Sequence, residues 1–164
     1  MKTIYIIPGL GEKCDLVRYK KLAHALTGKG YEIKPVNPNW YRPLSENVFP
    51  VKKDDIVIGF SFGAVIAYLI AKKYPCKKVI LASISPIHEF SFESLVKDYR
   101  THMKKDLAIE IAKDIKQIKI SLKTLKVPYV TLMGEREHDL ADFLVPKTEH
   151  EINSAYIRCI EKFV

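Results

Sequence analysis

Three cysteines, Cys14, Cys76 and Cys159, are the whole thiol complement of the chain, and they are odd in number and far apart. That spacing excludes a disulfide framework and a paired-cysteine zinc site, leaving reduced thiols, with Cys14 read as a small apolar filler near the first loop. No apolar run approaches the length needed to cross a bilayer, so no membrane partner is expected. The apolar run at the amino end is cut off at Pro8-Gly9 with no small-residue cleavage site after it, which favours a cytoplasmic protein. A continuous basic stretch is missing too. The net charge of +8 is dispersed in pairs such as Lys52-Lys53, Lys72-Lys73, Lys77-Lys78 and Lys104-Lys105, which read as solvated helix and turn faces. With no zinc-finger spacing and no aromatic RNA-binding signature beside them, specific nucleic-acid binding is not expected. Internal repeats, low-complexity tracts and domain linkers are absent as well.

What is present is enough for one domain, residues 1–164, with an ordinary 48% hydrophobic and 28% charged residues. Thr3-Ile4-Tyr5-Ile6-Ile7 is a buried-strand run that Pro8-Gly9-Leu10-Gly11 turns into a tight loop. Leu16, Tyr19, Leu22, Ala23 and Leu26 recur at helical spacing over 15–27, with Asp15 as the expected N-cap and Gly28 or Gly30 as terminator. Residues 31–36 alternate like an exposed strand, and Pro35 places it at an edge. Further strands are read at 56–60, 77–83, 127–133 and 143–145, with helices at 62–74, over much of 91–126, and at 153–163. In the long helical region Ile111, Ile115, Ile118, Leu122 and Leu125 form a core stripe, with Ile109 and Ile120 opposite it. The alternation predicts an α/β fold: a mostly parallel central sheet of about six strands with helices on both faces. In such sheets ligands bind beyond the carboxyl ends of the strands, so chemistry is sought in the loops that follow them.

The sharpest chemical feature is Gly59-Phe60-Ser61-Phe62-Gly63, set between the strand Ile56-Val57-Ile58 and a helix. A serine hydroxyl becomes a useful nucleophile when a tight turn lifts it clear, and flanking glycines leave room for that turn. The bland reading of the same five residues is a strand-to-helix turn and nothing more. Gly9-Leu10-Gly11 lacks the third glycine of a phosphate-binding loop.

With GFSFG as its elbow, Leu-Met-Gly-Glu-Arg-Glu at 132–137, and Phe143-Leu144-Val145 running on to His150, the chain resembles the α/β-hydrolase family over nearly its whole length. The resemblance implies a nucleophile, acid, histidine order. Ser61 is then the nucleophile and His150 the general base, able to take the serine proton near neutral pH. His24, His88, His102 and His138 are less well placed. For the acid, Glu137 occupies the family's position after the glycine, with Asp139 and Glu135 as nearby competitors and Glu89 as an outside option after the fourth strand. The backbone N–H groups of Leu10 and Phe62 are assigned to the oxyanion hole. Pro8 stands where many relatives have histidine. Compared with the family, the chain lacks two leading strands and any substantial cap domain.

The implied activity is cleavage of a small carboxylic ester or thioester through an acyl-enzyme, with no cofactor and no metal. Phe60, Phe62, Trp40 and Tyr41 would line an apolar mouth for a short acyl substrate. The rival expectation is a non-catalytic ligand-binding or interaction module on the same fold. The roughly six residues read between the fifth and sixth strands are too few for a helical crossover. The last strand is therefore expected to pair antiparallel or to be irregular.

Overall fold

A computed structural model describes residues 2–137 and 141–164. Asp139 and His138 fall outside the described residues. The strands are β1 (Thr3–Ile7), β2 (Glu32–Pro35), β3 (Ile56–Phe60), β4 (Lys78–Ala82), β5 (Tyr129–Gly134) and β6 (Phe143–Val145). They form one sheet in the order β2-β1-β3-β4-β5-β6, and every pairing is parallel.

Side chains alternate across that sheet and so divide the core in two. Ile56, Ile58 and Phe60 point toward α1 (Val17–Thr27) and α5 (Ser154–Glu161), joining Leu22, Leu26, Tyr156 and Ile160. Val57, Val79 and Leu81 point the other way, onto α2 (Phe62–Lys73), α3 (Phe92–Arg100) and α4 (Lys105–Gln117). β3 lies at the centre and is buried along its whole length, as its uninterrupted apolar run requires. The run of Ala64, Ala67 and Ala71 lets α2 lie close on the strands, and all three are buried.

Three expectations change. The first helix starts at Val17 with Leu16 at the N-cap and no capping side chain. Asp15 does not cap it, because Asn37 Oδ1 accepts from Cys14 N–H at 2.7 Å and a Leu16-to-Lys13 turn carries the chain past Asp15 before helical geometry begins. The long helical region is two α-helices broken at 101–104, and the stripe leaves α-helix after Ile115; Ile118, Leu122 and Leu125 still pack on the core from the segment that follows, which includes a short 3-10 turn at Leu122–Thr124.

The third change is at the sheet edge. β6 pairs with β5 in parallel, Leu132 opposite Phe143 and Gly134 opposite Val145. A helical crossover is unnecessary because β6 is only three residues long. The connection has to descend two residue steps, about 7 Å, rather than the length of a full strand. Asp142 fastens that return: its Oδ2 accepts from Thr131 N at 2.9 Å and Thr131 Oγ1 at 2.8 Å, and its own N–H donates to Thr131 Oγ1 at 2.8 Å.

Candidate functional site

The loops after β1, β3, β4, β5 and β6 meet at one end of the sheet, and Ser61 stands at their centre. It is the residue between β3 and α2, with φ 56° and ψ −122°, a left-handed conformation disfavoured for any side chain but glycine. Close packing enforces it. A Cβ on Gly59 would overlap the Gly63 carbonyl, and one on Gly63 would overlap the carbonyls of Ile7 and Pro8. The two glycines of GFSFG therefore let the start of α2 press against β3 and β1, and the chain between them turns sharply at Ser61. Its N–H donates to Ala82 O at 2.9 Å, fixing the turn to β4. The side chain is nearly buried, and its Oγ lies 3.0 Å from Ser85 Oγ.

His150 follows β6 and is half exposed, while the Glu137 side chain after β5 is 8% exposed. The two are joined by a 2.5 Å contact between His150 Nδ1 and Glu137 Oε1. Phe60 supports the imidazole with a ring-to-ring distance of 4.9 Å. Glu137 Oε2 accepts from Ser83 Oγ at 2.7 Å and from the Gly134 N–H. Burial pushes the Glu137 carboxyl up, but hydrogen bonds from His150, Ser83 and Gly134 outweigh it and hold the group below its ordinary range.

Of the other acid candidates, Glu135 turns away and accepts from Lys147 N–H at 2.8 Å, and Glu89 pairs with His88 at 3.7 Å. Leu10 is exposed in the loop after β1, and Phe62, at the first turn of α2, stacks on Phe90 with ring centroids 6.1 Å apart. Gly9 N–H is held by Tyr19 Oη at 2.9 Å and Glu12 Oε2 at 3.2 Å, which orders the loop that carries Leu10. Neither Leu10 N–H nor Phe62 N–H has an acceptor among the described residues. Ser61 Oγ is hydrogen bonded to Ser85 and not to His150.

Ser83, Ser85 and Tyr156 are the neighbours that sequence reasoning missed. Serines after a strand look like turn residues, and Tyr156 looks like one more apolar residue of α5. Beyond Leu10, a hollow of about 580 Å³ is lined by Trp40, Tyr41, Tyr99 and Met103 with polar groups from Asn37, Asn39 and His102. Cys14 and Cys76 are buried, and burial pushes both thiols up to about 11, which leaves them poor nucleophiles. Among the described residues no group of three His, Cys, Asp or Glu side chains is arranged to hold a metal ion, and no helix is long and apolar enough to cross a membrane.

No protein-family model and no curated protein matches the sequence. Solved structures do. Naproxen esterase (carboxylesterase NP) from Bacillus subtilis superposes over 99% of this chain and 84% of its own, with 11% identity and a TM-score of 0.53. An extracellular alpha/beta-hydrolase from a Paenibacillus species, described as sharing structural and functional homology with tobacco salicylic acid binding protein 2, matches 80% of this chain and 77% of its own at 14% identity and TM-score 0.51. An esterase from Pyrococcus furiosus matches 82% of this chain at 17% identity and TM-score 0.50, and this chain spans 61% of its length. At these identities the likeness is one of fold.

Proposed function

We propose, from the α/β-hydrolase fold that this chain has, that it is a serine hydrolase cleaving a carboxylic ester or thioester. The observation that carries this reading is the His150–Glu137 pair. A strained serine turn can exist for packing alone, whereas an exposed imidazole tied through Nδ1 to a buried carboxylate is oriented to use Nε2 as a base.

Ser61 Oγ exchanges Ser85 for His150 Nε2 when substrate enters, since catalytic hydrogen bonds often tighten only in the substrate complex. Oγ then attacks the carbonyl carbon, its proton passes to Nε2, and Glu137 stabilises the imidazolium. The N–H groups of Leu10 and Phe62 receive the oxyanion. Collapse expels the alcohol or thiol, which takes the proton from His150. A water, deprotonated in turn by His150, attacks the acyl-enzyme; the Ser61 Oγ–acyl bond breaks, Oγ takes the proton back from His150, and the carboxylic acid is released. The hollow beyond Leu10 receives the larger substituent of the ester. At about 580 Å³ it falls within the size range of small-molecule pockets and exceeds a short acyl chain.

A fluorophosphonate probe tests this: it is expected to add its mass to Ser61 in the folded protein and to abolish ester turnover. The Ser61–Ser85 hydrogen bond favours one other reading, a ligand-binding module whose serine is occupied structurally. A folded sample that stays unlabelled, with ester turnover the same in Ser61→Ala, would establish that second reading instead.

A further inference from the structure

We infer that Ser83 and Tyr156 are positioning residues for Glu137, two hydroxyls in series that occupy one carboxylate oxygen so that the other is reserved for His150. The inference rests on the pairing of Glu137 with His150 proposed above.

Ser83 is the first residue after β4. It is 1% exposed, and its φ of 44° lies in the left-handed region. Holding a serine there costs on the order of 1 kcal/mol. The conformation is locked by Ser83 N–H donating to Leu132 O at 2.7 Å. Its hydroxyl touches two oxygens, Glu137 Oε2 at 2.7 Å and Tyr156 Oη at 2.8 Å, and Tyr156 Oη also lies 2.9 Å from Leu132 O.

Two hydroxyl protons thus face three contacts, and their directions can be assigned. An ionised carboxylate only accepts, so the Ser83 proton goes to Glu137. The phenol proton is then shared: Tyr156 O–H donates to Leu132 O, which also receives Ser83 N–H, and to Ser83 Oγ, whose own proton is committed to Glu137. Donation runs from Tyr156 to Ser83 to Glu137, and each donor in such a chain strengthens the next. Burial raises the Tyr156 phenol well above its ordinary range, which keeps it protonated and a donor around neutral pH.

The result is an asymmetric carboxylate. Oε2 is saturated by Ser83 from the end of β4 and by Gly134 N–H from the end of β5, while Oε1 has, among the described residues, only the imidazole. Among the described residues, the charged groups around the open side are Arg136, Glu149 and Glu151, with Arg136 and Glu149 paired at 3.3 Å. Tyr156 also meets Phe60 edge-on at 6.1 Å, and Phe60 meets His150, so one aromatic ring is shared by relay and base.

The test reads the pair directly and does not need turnover. In the full-length, isotope-labelled protein, the His150 Nδ1 proton is expected as a strongly downfield proton resonance. Ser83→Ala should broaden it away or move it upfield, and should raise the Glu137 carboxyl midpoint in a carbon-detected titration. Tyr156→Phe should cause a smaller shift of the same sign. Tyr68→Phe removes an equally buried, hydrogen-bonded phenol on the opposite face of the sheet and should leave the resonance in place. If ester turnover is present, kcat/KM falls about tenfold in Ser83→Ala with KM little changed. Should Ser83→Ala fail to fold, Ser83→Gly, which accepts the positive φ, and Tyr156→Phe decide. A resonance and a Glu137 midpoint unchanged in the folded variants, or no such resonance in the parent, would overturn the inference. Absence of turnover with the resonance behaving as described would overturn only the hydrolase reading.

Discussion

Replacing Asp142 by alanine probes the tie that lets the last strand run parallel. Its carboxylate is the acceptor for Thr131 N–H and Thr131 Oγ1, just before the β5–β6 ladder begins at Leu132. Thr131 is 6% exposed, so its amide loses its partner in a place that water reaches poorly. A hydrogen bond to a charged acceptor contributes about 1.5–3 kcal/mol, and the lower end applies because Asp142 itself is exposed. Adding partial loss of the side-chain contact gives about 2 kcal/mol, roughly a thirtyfold rise in the unfolding equilibrium constant. Thr131→Val keeps the amide bond and loses the hydroxyl ones, at about 1 kcal/mol. Because both changes remove the same hydroxyl contact, the double variant should cost about 1 kcal/mol less than the sum. Urea unfolding followed by circular dichroism, with an unchanged slope against denaturant, measures all three. An Asp142→Ala loss under about 0.5 kcal/mol, or strict additivity with Thr131→Val, would refute the assignment of this tie.

Glu137→Gln keeps the shape of the acid while removing its charge, and is expected to lower kcat about 10³-fold or more with the fold retained; steady-state kinetics beside thermal melts checks both. Because the folded-state Glu137 is held below its ordinary value near 4.5, it stabilises the fold above that pH, and this contribution disappears as pH falls through the folded value. Melting temperature against pH should therefore decline less steeply in acid for Glu137→Gln than for the parent. Gly63→Ala drives a Cβ into the Ile7 and Pro8 carbonyls, both backbone, and should cost about 3 kcal/mol or more in chemical denaturation. Tyr99 Oη is buried without a partner among the described residues, so Tyr99→Phe should be neutral or stabilise by up to about 1 kcal/mol in the same assay.

Strand and helix positions were legible because burial repeats at two residues in a strand and at 3.6 in a helix. The parity of Ile56, Val57 and Ile58 even assigns each to its own core. GFSFG was legible for a local reason: two glycines around a serine describe a turn that only short-range sterics need explain. The direction of β6 was not. It depends on how far the chain must return and on the Asp142–Thr131 tie, neither of which leaves a periodic trace.

The acid shows the same division. Glu137, Glu135 and Glu89 are alike as residues and all follow strands, so spacing could rank them but not separate them. Tertiary structure separates them by burial and by partners, sending Glu135 to Lys147 N–H, Glu89 to His88 and Glu137 to His150. Sequence alone determined the alternation of strands and helices, the elbow at Ser61, and the order in which the chemical groups arrive along the chain, because these are properties of neighbouring residues. Only tertiary structure decided which carboxylate meets the imidazole, which hydroxyls stand behind it, and that Ser61 rests on Ser85, because those contacts join residues brought together by the sheet.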